Sequence, residues 1–257
     1  MPAQKFALVA SDAPDPVIIA LYQTQAEHRE LGTHSHARGQ LSGLRNGLLT
    51  IGTDSGAWVV PAGQAIWLPP HQLHYGWTHG AVEGWSCYVS EAACASLPTR
   101  ACTIRTSGLL REAVMRASTW QGNDLTPEQW RVAEVILDEV RAAPVDAFGS
   151  PMPRDPRLVR IARALLDDPS DGRTISEWAQ WAGVAERTLS RRFVIETGLT
   201  YTAWRQRACL MRALEMLAEG RAVTTVALDL GYDSVSAFIA FFKRALGVTP
   251  SAYFRRT

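Results

Sequence analysis

Two groups of residues stand out for the chemistry their side chains could perform. All six histidines of the 257-residue chain fall between His28 and His79. Among them His34-Ser-His36 is followed by Gln40 and, after Pro69-Pro70-His71, by His74. In a strand, side chains alternate, so His34, His36 and Gln40 are expected on one face. Three imidazoles and one amide oxygen suit a divalent transition metal, Zn, Ni, Cu or Fe. The same set also suits a metal-free polar pocket for a small molecule, or histidines satisfied within the fold, and the residues leave all three open. His28, His71 and His79 read as loop or rim residues. The second group is basic: Arg187, Thr188, Ser190, Arg191 and Arg192 lie within six positions near the C-terminal end. A guanidinium can fork onto guanine O6 and N7, or clamp a phosphate.

These groups sit in differently charged parts of the chain. Residues 1–150 carry 10 basic against 14 acidic side chains, whereas residues 151–257 carry 16 against 11, and only one of the 16 is lysine. The basic part implies a polyanionic partner. With 47% apolar and 20% charged residues, the composition excludes a disordered or collagen-like chain. Four cysteines without metal or disulfide spacing, and no apolar run near the ~20 residues of a membrane span, point to a cytoplasmic protein with no membrane partner. Cys87 is expected to be a buried structural thiol.

The elements that must position these residues change character along the chain. Residues 1–16 read as irregular. Val17–Tyr22, Gln40–Arg45, Leu48–Thr53, Gly56–Val60, Ala65–Leu68 and Trp85–Val89 are short strand-like runs separated by Gly, Pro or Asn, which favours a small barrel or sandwich. Trp58, Trp67, Trp77 and Trp85 fall among them as core or pocket-lining residues. From about Thr106 apolar residues recur at helical spacing, with Thr126-Pro127 as a helix start. These helices are expected to form a separate pair, a connector or a dimer seam. Ser150-Pro-Met-Pro-Arg-Asp-Pro156, with three prolines, reads as a linker.

Beyond it an internal repeat appears. Ala179 and Gly183 recur 48 residues later as Ala227 and Gly231, while Leu189, Phe193, Gly198 and Thr200 recur 49 residues later as Phe238, Phe242, Gly247 and Thr249. A small residue, a glycine four positions on and a second helix sealed by apolar residues at i and i+4 make a helix-turn-helix, here in duplicate. In the first unit Leu189 and Phe193 face inward, leaving Arg187, Ser190 and Arg191 outward with Thr188 and Arg192 on the flanks; Arg192 reads as structural or directed to the DNA backbone. In the second, Val235, Ser236, Ile239 and Ala240 are outward, a nearly uncharged face that suits thymine methyls or reads little sequence, and Lys243 and Arg244 suit phosphates. Tyr201–Ala218 is predicted as one long helix between the units. It is expected to space two reading helices about one DNA turn, roughly 34 Å, apart.

Gly231-Tyr-Asp-Ser-Val-Ser-Ala-Phe-Ile-Ala-Phe-Phe-Lys-Arg-Ala-Leu-Gly-Val-Thr-Pro250 resembles the signature of AraC/XylS transcriptional regulators, and Ile175–Phe193 and Arg207–Leu217 resemble the rest of their DNA-binding domain. The paired histidines with Gly47, and Gly63 leading into Pro69-Pro70 and His74, resemble the two cupin motifs, with Gln40 standing where a glutamate is usual. The resemblance implies an N-terminal all-β cupin-like barrel over 1–100, a helical pair over 101–149, a linker over 150–156, and an all-α domain over 157–254 with two helix-turn-helix units joined by a long helix. It implies a non-enzymatic, nucleoid-associated bacterial regulator, binding promoter DNA as a monomer or homodimer. RNA polymerase is its partner if it activates. A small molecule or metal is its effector, and neighbouring genes, such as that of an efflux transporter, are its targets. The alternative is a metal-dependent cupin enzyme, a dioxygenase or isomerase, with a helical appendage.

Overall fold

A computed structural model describes residues 16–122, 124–146 and 149–254. They form two compact units, one of residues 16–53 and 60–146 and the other of residues 54–59 and 149–254. The irregular segment expected over residues 1–16 lies, apart from Pro16, outside the described residues.

The first unit is a β-rich domain. Its strands are β1 (Ile18–Gln25), β2 (Glu30–His34), β3 (Gly39–Thr53), β5 (Gln64–Leu68), β6 (His74–Val89), β7 (Cys102–Arg105) and β8 (Val145–Asp146). Between β3 and β5 the chain forms β4 (Gly56–Pro61). Pairing runs β1-β6-β3-β5-β7-β8, with β2 also on β6, and each of these pairs is antiparallel. Two runs expected as separate strands, Gln40–Arg45 and Leu48–Thr53, are one strand. Its register with β6 shifts between Leu44 and Asn46 and again between Asn46 and Leu48, and Gly47 takes φ +89° there. The Asn-Gly pair that reads as a turn instead makes a bulge, which bends a long strand without ending it.

One face of this sheet packs against α1 (Gly108–Ser118) and α2 (Pro127–Ala142). Thr126 caps α2 as expected, its hydroxyl accepting from Gln129 N–H while the Gln129 side chain answers on Thr126 N–H. The two helices are not a separate pair. Leu110, Val114, Ala133, Ile136 and Val140 share one core with Ala20, Leu41, Ala65, Trp67 and Cys87 of the strands. A sheet face left bare would expose that apolar row, so the helices complete the domain. Leu109 and Trp130, which belong to the same apolar pattern, point outward and are exposed.

The second unit carries α3 (Pro156–Asp167), α4 (Ile175–Ala182), α5 (Glu186–Thr197), α6 (Tyr201–Ala218), α7 (Val223–Asp229), α8 (Val235–Leu246) and α9 (Pro250–Tyr253). The expected Pro-rich linker is not free chain. Gly149–Pro151 forms β9, antiparallel to Gly56–Trp58 of β4, and Pro151 O accepts from Trp204 Nε1 of α6 at 2.7 Å. Asp155 then caps α3 through Arg157 N–H at 2.9 Å. Each half of the repeat has its own core: Trp178, Ala179, Leu189, Phe193 and Trp204 in the first, Val226, Ala227, Phe238 and Phe242 in the second, all nearly inaccessible. At the two turns Gly183 and Gly231 adopt φ +68° and +74°, the left-handed region in which glycine has no Cβ penalty.

Candidate effector cavity and nucleic-acid interface

In the β-rich unit the strand register builds a cavity of about 510 Å³. Pairing of Gln40 with Tyr88 and Ser42 with Ser86 puts these four side chains on one face, and pairing of His34 with His74 brings two imidazoles together. Leu44, Leu49, Ile51, Val82 and Trp85 supply its apolar walls, and Arg29 is the one lining residue with a permanent charge. Among the described residues no carboxylate lines it. Gly43 has a steric reason: a Cβ there would meet the Trp85 ring at 2.4 Å, so only glycine admits that indole.

His34, His36 and His74 converge here, with ligand atoms within 4.8 Å of one another. The strand parity expected for the first two does not produce this. β2 ends at His34 and residues 35–38 form a loop, whose path carries His36 back beside His74, with ring centroids 5.3 Å apart. Each ring is oriented from behind. Nδ1–H of His34 donates to Gly32 O at 2.7 Å, that of His36 to Arg38 O at 2.6 Å, and that of His74 to Gln72 O at 2.8 Å. A carbonyl can only accept, so each neutral ring is left with Nε2 as a lone-pair atom. Burial pushes His74 down to about 4, which keeps it neutral at physiological pH. His74 Nε2 is buried with no hydrogen-bond partner. The Gln40 amide lies 2.9 Å from His36 Nε2 and 2.8 Å from Ser42 Oγ, which in turn lies 2.8 Å from Ser86 Oγ. Its Oε1 faces His36 and its N–H donates to Ser42, so the oxygen is the end turned toward the histidine cluster. Three converging imidazoles, each backed by a carbonyl at Nδ1 and with His74 Nε2 unpartnered, fit a divalent transition metal.

Of the remaining histidines and Cys87, one departs from its sequence expectation. His79 is not a rim residue: it is buried, with Nε2 2.9 Å from Thr50 Oγ1. His28 and His71 are exposed. Cys87 is fully buried, and burial raises its thiol to about 12, which leaves no thiolate for redox chemistry.

In the helical unit α5 presents Arg187 and Arg191 to solvent, with Thr188 and Ser190 partly covered, while Leu189 and Phe193 are fully buried behind them. Among the described residues neither Arg187 nor Arg191 carries an ion pair. On α8, Ser236 and Ala240 are exposed, Val235 and Ile239 partly so, and Lys243 and Arg244 lie exposed in the last turn. Ser234 caps this helix, its hydroxyl accepting from Ala237 N–H at 3.2 Å.

Residues 178–256 match the family described as a helix-turn-helix domain, and residues 15–112 match the AraC-like ligand binding domain. The HTH-type transcriptional regulator NimR of Escherichia coli is 32% identical over 227 residues, covering 87% of this chain and 82% of that protein. The chain belongs to the AraC-type transcriptional regulators. The HTH-type transcriptional regulator RipA of Corynebacterium glutamicum is 34% identical over 124 residues, covering 48% of this chain and 35% of that protein. ToxT from Vibrio cholerae aligns with 92% of this chain and 98% of its own at 11% identity, with a TM-score of 0.41.

In this AraC-type regulator Arg192, which the sequence offers either a structural or a DNA-backbone role, is engaged within the fold. Arg192 is ion-paired with Asp155 and, at 2.9 Å, with Glu196. Glu196 in turn accepts the backbone N–H groups of Arg154 and Asp155, at 2.6 and 2.9 Å. The hydrogen-bonded Arg157 guanidinium, with Arg192 beside it, holds the Asp155 carboxyl far below the usual range. Arg192 therefore fastens the segment before α3 to α5 and is not free for phosphate. The sequence reading also passed over Ser42, Ser86, Tyr88 and Arg29 in the cavity. Period-two parity along β6 is the signal that could have found Ser86 and Tyr88.

Proposed function

We propose that this AraC-type regulator binds promoter DNA in a sequence-specific manner through α5 and α8, and that occupancy of the β-cavity sets how it acts. The observation that carries the DNA reading is α5 itself. Its inner face is fully buried, and its outer face carries two unpaired guanidinium groups on a unit repeated 48 to 49 residues later. Arg187 and Arg191 are assigned to base edges, Thr188 and Ser190 to the same groove, and Lys243 and Arg244 to phosphates. Val235, Ser236 and Ile239 form the second reading face. Promoter DNA adjoining the gene is the nucleic-acid partner, with RNA polymerase engaged if the protein activates. A second copy of the chain would double the site.

In the cavity, His34, His36 and His74 are assigned to a Zn, Ni, Cu or Fe ion, with Gln40 beside His36. Such an ion would act as a Lewis acid toward an effector's donor atoms. The chain's own part is to hold three Nε2 atoms in place, exclude bulk water with Leu44, Ile51 and Trp85, and offer Arg29, Ser42 and Ser86 for polar contacts. Among the described residues the lining holds no carboxylate, so in the dioxygenase or isomerase alternative a histidine spared from the metal would have to serve as general base.

The test is a gel shift of the full chain on duplex DNA flanking its gene, at two salt concentrations, beside Arg187→Ala/Arg191→Ala. Each bidentate base contact carries about 1–3 kcal/mol of discrimination. The double variant is therefore expected to lose site preference and keep weak, salt-sensitive binding. Unchanged site preference would remove these arginines from the interface.

A further inference from the structure

The reading face of α5 extends past its arginines. Taking Arg187 as i, residues i+3, i+4 and i+7 are Ser190, Arg191 and Val194, which lie on one side of an α-helix. Val194 is 45% exposed, and Ile195, beside it on the flank of that face, is 72% exposed. Two β-branched apolar residues in water at the end of a reading helix ask for an apolar partner. Their neighbours narrow its identity, because the face holds two unpaired guanidinium groups and no carboxylate. Glu186 lies off to one side, and Glu196 is engaged with Arg192 and the backbone before α3. A surface that is both cationic and locally apolar is complementary to the major groove, where the C5-methyl of thymine is the apolar group on a base edge.

We infer that Val194, flanked by Ile195, is a further specificity-determining residue that packs on a thymine methyl next to the guanine met by Arg191. At 1.5 Å rise per residue, Val194 lies about 4.5 Å along the helix from Arg191, between one and two base steps of about 3.4 Å. The half-site read by α5 therefore contains thymine within two steps of guanine. The inference rests on α5 being a groove helix, as proposed above.

The test starts with selection of a duplex from a random library by the full-length chain. Each thymine in the α5 half-site is then replaced by uracil, which removes only the methyl group. One thymine within two steps of the guanine is expected to show about four-fold weaker binding as uracil, the worth of one buried methyl-sized group. Val194→Ala is expected to bind the thymine and uracil duplexes equally, while Arg191→Ala keeps the difference. The duplex change is made against unaltered protein, so the result does not depend on how a variant folds. Equal binding of thymine and uracil duplexes by the unaltered chain overturns the inference, as does a uracil effect that persists in Val194→Ala. It is also overturned if Val194→Ala binds normally and loses only transcriptional output, which would assign the patch to a protein partner. Failure to select any duplex would instead overturn the groove-helix reading together with this inference.

Discussion

At the scale of single residues, the cavity is defined by what its histidines lack. His34, His36 and His74 each spend a proton on a backbone carbonyl, and their ligand atoms converge within 4.8 Å. A convergence of three imidazoles with His74 Nε2 buried and unpartnered is satisfied by a cation. Protein purified without an affinity tag and stripped of metal is therefore expected to gain thermal stability when Zn, Ni, Cu or Fe is restored. At 100 times Kd, linkage gives about 2.7 kcal/mol. His74→Ala should abolish that gain while leaving DNA binding measurable. Melting curves that no divalent ion shifts would retire the metal and leave a polar pocket for a metal-free effector. Arg192 shows the converse. A side chain that looks like a DNA contact by type and spacing is engaged by two carboxylates, one of them from outside its own helix.

At the scale of elements, the helix-turn-helix depends on a sharp chain reversal between two buried faces. Gly183 holds φ +68° and a Cβ there would meet no atom within 4 Å, so substitution costs backbone strain alone. Gly183→Ala is expected to destabilise the helical unit by about 1–2 kcal/mol, read as a lower midpoint in chemical denaturation. An unchanged midpoint would show that the turn relaxes into another conformation. The α-helical elements were legible because their signals are local: Thr126-Pro127, the glycines at 183 and 231, and the unbroken apolar row of Tyr201–Ala218 each act within a few residues. The strands were less so. Asn46-Gly47 reads as a turn, yet β3 runs through it as a bulge, because pairing with β6 on both sides outweighs local preference. The three-histidine cluster was found for a partly wrong reason. Parity placed His34 and His36 together, whereas the loop after β2 and the His34–His74 register assemble the site. Arg29, Ser42 and Ser86 stayed hidden because ordinary polar residues become site residues only through long-range strand pairing.

At the scale of the whole molecule, the two chemistries fall in two compact units, a cavity in one and a duplicated pair of helices in the other. The charge split along the chain already points to that division, with the acidic part holding every histidine and the basic part nearly all of its positive charge as arginine. No helix among the described residues is long and apolar enough to cross a membrane. The central claim is that one chain carries two groove-reading helices in a repeated helix-turn-helix pattern. The most direct measurement is hydroxyl-radical footprinting of the full-length chain on its selected duplex. Two protected patches on one face of the DNA, separated by about 10 base pairs, are the predicted result, with the patch that vanishes in Arg187→Ala/Arg191→Ala belonging to α5. A single patch that survives those substitutions, or uniform protection without a preferred site, would contradict it.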